Sequence, residues 1–169
     1  MIRRGVSMYS YQQAQFLKQM TLRDMFVELH DVLHCTGVEM ISQQTIRHYP
    51  TPTEEFIAEW RDLCEEFQIT PVTMDLYNDV LQFRDHVMTH KELSEQFMRD
   101  IALAAKLGFR NVRCCLGVPV DCMIGALPAA EEYDVRIGRE IHHPYRFEDS
   151  FVDEIMEHIA KTGTKHLGL

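Results

Sequence analysis

The chain has 169 residues, 46% of them apolar, enough for one ordinary core, and no Gly/Ser linker, charge block or low-complexity tract marks a second domain. Lys and Arg number 17 against 26 Asp and Glu, and the net charge of -9 opposes a phosphate backbone, so nucleic acid is not an expected partner. No apolar run approaches the roughly 20 residues that span a bilayer, and Met1–Gly5 lacks the apolar stretch of a secretion signal, so a cytoplasmic protein without a membrane partner is expected. The five cysteines form no Cys-x-x-Cys pair, and an odd count without a signal sequence suits reduced thiols, so zinc-ribbon and disulfide readings fall away.

Along the chain, short apolar or β-branched runs alternate with longer amphipathic stretches, the pattern of successive βα units on a parallel sheet. Gly5–Tyr9 reads as the first strand, and Thr21 caps a helix whose Leu22, Phe26, Leu29 and Leu33 recur at helical spacing before Gly37 ends that region. Val38–Ser42 is the second strand. Pro50, Pro52 and Thr53 then break the chain and start a helix carrying Phe56, Ile57, Trp60, Leu63 and Phe67, with Cys64 on the same stripe. Pro71–Tyr77 gives the third strand, followed by a long loop and a helix marked by Leu93, Phe97, Ile101, Ala104 and Ala105. Gly108 closes that helix, Val112–Leu116 forms the fourth strand, and Val120–Tyr133 returns as a helix despite Pro128. Cys114 and Cys115 fall in the apolar fourth strand, where small buried hydrophobes explain them better than a nucleophile does.

The segment from Val135 to Pro144 reads as a buried fifth strand that delivers a carboxylate and an imidazole together, because alternation puts Glu140 and His142 on one face. Pro144 cannot donate to a ladder, so the strand should finish near His143 with this pair at its carboxyl end, where parallel α/β folds place their sites. Phe151, Ile155 and Ile159 line a last helix ended by Gly163, and His166–Leu169 begins a sixth strand. Strands recur at the cadence of an eight-unit barrel, yet such barrels usually need about 250 residues. The fold expected is therefore α/β, parallel βα units of a TIM (β/α)8 barrel truncated after the sixth strand, with residues 1–169 as one partial barrel. A bare sixth strand would call for pairing with a second copy or another subunit. The alternative is an open doubly wound sheet, complete as it stands.

Several stretches together resemble the xylose-isomerase-like TIM-barrel family of sugar phosphate isomerases and epimerases. They are Arg4–Tyr11 with Met20–Asp24, Thr36–Met40, Ala104–Arg113 and Tyr133–His142. Within that family the chain is most similar to the metal-binding alpha subunit of C-glycoside deglycosidases, where Glu-Ile-His and Tyr-Ser-Tyr segments are familiar. The resemblance implies a divalent cation, usually manganese, held by two Glu, one Asp and one His from strands of the second half-barrel. Of these, Glu140 matches the first, and the rest would fall beyond Leu169.

Glu140 is the expected metal ligand, since a carboxylate on an apolar strand is costly to bury unless paired or metal-bound; an ion pair with a neighbouring base is the alternative. His142 is the expected proton-transfer residue, with a structural histidine as the alternative. Asp75 and Tyr77 share a face near the end of the third strand, and Tyr9, Tyr11, Gln43 and Gln44 follow strand ends, where neutral donors and acceptors suit sugar hydroxyls. Tyr9, Gln43, Asp75 and Tyr77 are the substrate-binding candidates. Glu39 reads as a floor residue or structural ion pair, Arg113 as an ion-pair partner or anion receiver, and most of the ten methionines as core.

The function expected is a divalent-metal-dependent carbohydrate enzyme that abstracts a proton next to a sugar carbonyl. A non-catalytic half-barrel serving as an assembly module is its rival. An abasic-site endonuclease branch of the same fold is disfavoured by the acidic balance.

Overall fold

The structure, a computed structural model, describes residues 3–78, 80–114 and 117–169. Six parallel strands and the helices between them fall into two compact units, one of residues 1–75 and 107–109, the other of residues 76–106 and 110–169. Cys115 and Leu116, the end of the expected fourth strand, lie outside the described residues.

In the first unit, β1 (Gly5–Ser7), β2 (Gly37–Ile41) and β3 (Thr70–Leu76, whose last residue opens the second unit) pair in parallel, with Ser7 beside Glu39 and Ile41 beside Asp75. β1 is shorter than its sequence implies because Met8–Tyr11 tightens into a 3-10 turn, with the Tyr9 amide donating to Ser7 Oγ at 3.3 Å. Two polar helices follow strand ends: α1 (Gln12–Phe16) and, after β2, α3 (Ser42–Thr45). Between them, α2 (Leu22–Val27) starts at Thr21 and continues as a π-helical turn through Val32, and Gly37 opens β2 rather than ending the helix. α4 (Glu54–Glu66) starts at Thr53, whose hydroxyl accepts from the Phe56 amide.

An aromatic cluster joins these pieces. Trp60 meets Phe26 edge-on at 5.4 Å and stacks on Phe109 at 5.6 Å, and its indole N–H donates to the Leu107 carbonyl at 2.9 Å. Residues 107–109 are thereby tied to α4 despite their distance in sequence. Burying the indole while satisfying its one donor is the arrangement a large aromatic needs in a core.

In the second unit, α5 (His90–Lys106) packs its Leu93, Phe97, Ile101 and Ala104 face inward, all fully buried. β4 (Asn111–Cys114), β5 (Arg136–Arg139) and β6 (Leu167–Gly168) pair in parallel, with Arg113 beside Gly138 and Cys114 beside Arg139. The helix expected over Val120–Tyr133 is two, α6 (Val120–Gly125) and α7 (Leu127–Tyr133). Pro128 has no amide proton to give an uninterrupted helix and instead sits in the first turn of α7, where none is needed. α8 (Ser150–Thr162) ends at Gly163, whose φ of 70° is the left-handed cap conformation glycine adopts without a Cβ clash. No helix among the described residues is long and apolar enough to cross a membrane.

Candidate functional site

The fifth strand ends sooner than alternation and Pro144 suggest. β5 stops at Arg139, and the last ladder contact is the Glu140 amide donating to the Cys114 carbonyl at 3.2 Å. The Tyr145 amide then donates to the His142 carbonyl, closing a turn. Glu140 thus lies just past the strand and His142 in the turn, so strand alternation does not set the direction of His142.

The faces of β4 and β5 are still clear. Val112, Cys114, Ile137 and Arg139 are buried. The Cys114 thiol lies 3.6 Å from Met123 Sδ on α6, and the Arg139 guanidinium stacks over Phe151 of α8 at 5.1 Å and over Tyr145 at 5.5 Å. Those residues face helices. Arg113, Gly138 and Glu140 belong to the opposite set, and Arg113 Nη1 stands 3.8 Å from Glu140 Oε1 with both side chains partly exposed. The ion pair weighed as the alternative for Glu140 is therefore present, though at 3.8 Å it is a loose, single contact rather than a bidentate fork.

His142 is exposed, and its Nδ1 lies 2.9 Å from the His143 carbonyl oxygen. A carbonyl only accepts, so Nδ1 carries the proton, and in the neutral ring Nε2 presents the lone pair. That tautomer suits Nε2 as a proton acceptor or metal donor. His143 is also exposed. Tyr77 follows the last residue of β3 and is 43% exposed.

Within the first unit, Tyr9, Gln43 and Asp75 all lie at carboxyl ends of strands. Gln43 lines a cleft of about 660 Å³ with Gln12, Gln13, Gln15, Phe16 and Gln44, and Ser42 donates to its amide oxygen at 2.6 Å. Phe16 is 86% exposed there. Asp75 is fully buried, unlike Tyr77, and because β3 ends at Leu76 the face-sharing expected from alternation does not extend to Tyr77. Tyr11 is buried too, which with Glu28 nearby pushes its phenol up. Glu39 lines the space around the amino-terminal halves of β1, β2 and β3 with Arg3, Arg4, Thr36 and Thr70. Gln43 and Gln44 are candidates the sequence already offers, whereas Gln12, Gln13 and Gln15 are not, because α1 lacks apolar periodicity. The two Gln-Gln pairs following strand ends were the available signal.

No protein-family model matches the chain. The chain is 31% identical over 139 residues to a C-glycoside deglycosidase alpha subunit of Arthrobacter globiformis, an alignment covering 82% of this chain and 38% of that protein. It is 27% identical over 166 residues to a 3'-dehydrocarminate deglycosidase alpha subunit of a Microbacterium species, covering 98% of this chain and 48% of the relative. The chain therefore spans less than half the length of these curated relatives. Among solved structures it matches the IOLI protein with a bound zinc atom at a TM-score of 0.65 and 16% identity, over 99% of this chain and 62% of the other. It matches D-psicose 3-epimerase, in the presence of D-fructose, at 0.66 and 14% identity, over 98% and 62%.

At such identities the structural likeness is one of fold, that of parallel βα units of a TIM barrel. Within that class the sequence is similar to alpha subunits of C-glycoside deglycosidases, which bears out the resemblance carried by the Tyr-Ser-Tyr and Glu-Ile-His segments.

Proposed function

We propose that this chain forms part of a divalent-metal-dependent carbohydrate enzyme, of the C-glycoside deglycosidase or sugar epimerase kind, that removes a proton next to a sugar carbonyl. The observation that carries the reading is the 31% identity, across 82% of this chain, to a protein named for C-glycoside cleavage. Its partners would be a sugar or glycoside and a second subunit, as the designation alpha subunit of both relatives suggests. Four free cysteines among the described residues fit a reducing compartment, the cytoplasm.

Glu140 and His142 offer a carboxylate and an imidazole, donor types that suit manganese or zinc, and the loose contact with Arg113 leaves the carboxylate able to turn to a cation. Glu140 would hold the metal. A bound cation would stabilise negative charge developing on the sugar carbonyl oxygen. His142 Nε2, held as the accepting atom by the Nδ1 contact, takes the proton from the carbon beside the carbonyl. In an epimerase a proton returns to that carbon from the opposite face. In a C-glycoside lyase the electron pair instead forms a ring double bond while the carbon–carbon bond to the aglycone breaks, and the departing aglycone carbon is protonated. Tyr9, Gln43, Asp75 and Tyr77 would bind sugar hydroxyls, the exposed Tyr9, Gln43 and Tyr77 more directly than buried Asp75.

The test uses the whole protein that contains this chain, assayed with a 3-keto C-glycoside and with ketohexoses. Glu140→Gln keeps the volume and removes the charge, so the purified variant should lose most of its bound manganese while its circular dichroism is unchanged. His142→Gln should keep the metal and lower kcat by about 10²- to 10⁴-fold, the usual worth of a general base. Full manganese content in Glu140→Gln would remove Glu140 from the metal. Undiminished turnover in His142→Gln would remove the proton-transfer role, and no turnover by the parent protein on either substrate class would favour the assembly-module reading.

A further inference from the structure

We propose that His90, Asp121 and Cys122 form a second metal site, for a zinc-class divalent cation, that ties the start of α5 to the start of α6. One donor atom from each residue lies within 4.8 Å of the other two. Tetrahedral zinc with bonds of about 2.0–2.3 Å spaces its donors about 3.3–3.8 Å apart, so closing this set takes side-chain shifts of roughly 1 Å. The His90 Nδ1 to Asp121 Oδ2 distance of 2.6 Å opens slightly, and the thiol turns inward.

An exposed His–Asp pair alone would be worth little and would imply no ligand. The third donor changes the reading. Cys122 is fully buried, and its thiol is directed at the His90 carbonyl at 3.6 Å, so a soft donor is held beside the borderline imidazole and the hard carboxylate. The scaffold around it is tight. Ser94 Oγ donates to the same His90 carbonyl at 2.8 Å, and a Cβ on Gly125 would come within 2.9 Å of the Ser94 hydroxyl oxygen. Close approach of α6 to α5 at Gly125 therefore fixes the separation of the three donors, and a site built on rigid elements binds with little reorganisation.

The donor set selects the ion. One imidazole, one carboxylate and one thiolate match zinc or cobalt, whereas manganese and magnesium prefer oxygen-rich octahedra. Three protein donors leave the fourth tetrahedral position to water. Burial pushes the Cys122 thiol up to about 11, so a cation must displace its proton on binding. The site uses none of the groups proposed for catalysis and does not depend on the carbohydrate reading.

The experiment is a cobalt titration of the chelator-stripped protein followed by absorption. The parent should show a thiolate-to-cobalt charge-transfer band with the intense visible bands of tetrahedral cobalt, abolished by one equivalent of zinc and unaffected by one of manganese. Cys122→Ser should lose the charge-transfer band, and His90→Gln and Asp121→Asn should each weaken cobalt binding at least tenfold. The last two residues are exposed, so their variants carry the test even if Cys122→Ser does not fold. Glu140→Gln should leave the band untouched, which separates this site from the one proposed for catalysis. No charge-transfer band in the parent, a band that persists in folded Cys122→Ser, or full affinity in both His90→Gln and Asp121→Asn would overturn it.

Discussion

At the scale of single residues, the contact between Arg113 and Glu140 decides how available the carboxylate is. Both groups are partly exposed, and a loose pair of this kind is worth only about 0.2–1 kcal/mol. A divalent cation at Glu140 must compete with that guanidinium. Arg113→Gln should therefore tighten manganese binding by the whole protein by roughly 1.4- to 5-fold, the equivalent of that energy, measured by calorimetric titration. Weaker binding in the variant would show that Arg113 supports the site instead. Trp60 poses the opposite case, a polar atom satisfied deep in the core. Trp60→Phe keeps most of the aromatic packing but strands the Leu107 carbonyl, so it should cost about 1–3 kcal/mol in denaturant unfolding. Trp60→Ala should cost about 3–5 kcal/mol through the added cavity. The role of Trp60 in the α4 core stripe was legible in sequence. Its bond to Leu107, 47 residues away, was not, because no local pattern encodes it.

At the scale of elements, the caps were the best-read features and the strand ends the worst. Thr21 and Asp24 form a reciprocal capping box: the Thr21 hydroxyl accepts from the Asp24 amide, and the Asp24 carboxylate accepts from the Thr21 amide at 2.8 Å. The Thr21 hydroxyl, which also donates to that carboxylate at 2.7 Å, and the Thr21 amide together hold the Asp24 carboxyl below its ordinary value. A depressed folded-state pKa adds stability that is complete above the unfolded value near 3.8 and is lost as pH falls through the folded one. Thr21→Ala removes the hydroxyl but keeps the amide, so it should raise the Asp24 pKa part of the way toward 3.8 in an NMR titration and weaken that low-pH dependence. An unmoved Asp24 would show the box does not form in solution. Thr53→Ala, at the start of the 13-residue α4, should cost about 1 kcal/mol. The strand ends were misread for a physical reason. Proline marks where a ladder can no longer continue, but β5 stops earlier, as the chain leaves the ladder after Glu140 donates to Cys114. Pro128 misled in the other direction, since an amphipathic pattern continues across a helix that has stopped and restarted. The His90, Asp121 and Cys122 cluster was invisible for a third reason: 31 residues separate its histidine from its aspartate, and only helix packing joins them.

At the scale of the whole molecule, charge separates the carbohydrate reading from the endonuclease branch of the same fold. Duplex DNA carries one negative charge per about 1.7 Å of its axis, so a binding protein must gain enough counterion release from Lys and Arg to overcome its own field. This chain carries -9 at pH 7. Its exposed Arg3 and Arg4 lie beside Glu39 at the amino-terminal side of β1, and Arg23 is forked onto Glu66 at 2.6 and 2.7 Å. Both of these basic spots have acid close by. The 169-residue chain should therefore give no retardation of a duplex containing an abasic site at about 0.1 M salt, where exposed charges act over about 10 Å. It should also bind an anion exchanger at pH 7 and reach minimum solubility near pH 5.4, where its net charge vanishes. A salt-sensitive shift of the abasic duplex at micromolar protein would mean that a local patch overrides the net charge, and the carbohydrate reading would then lose its argument against the nuclease branch.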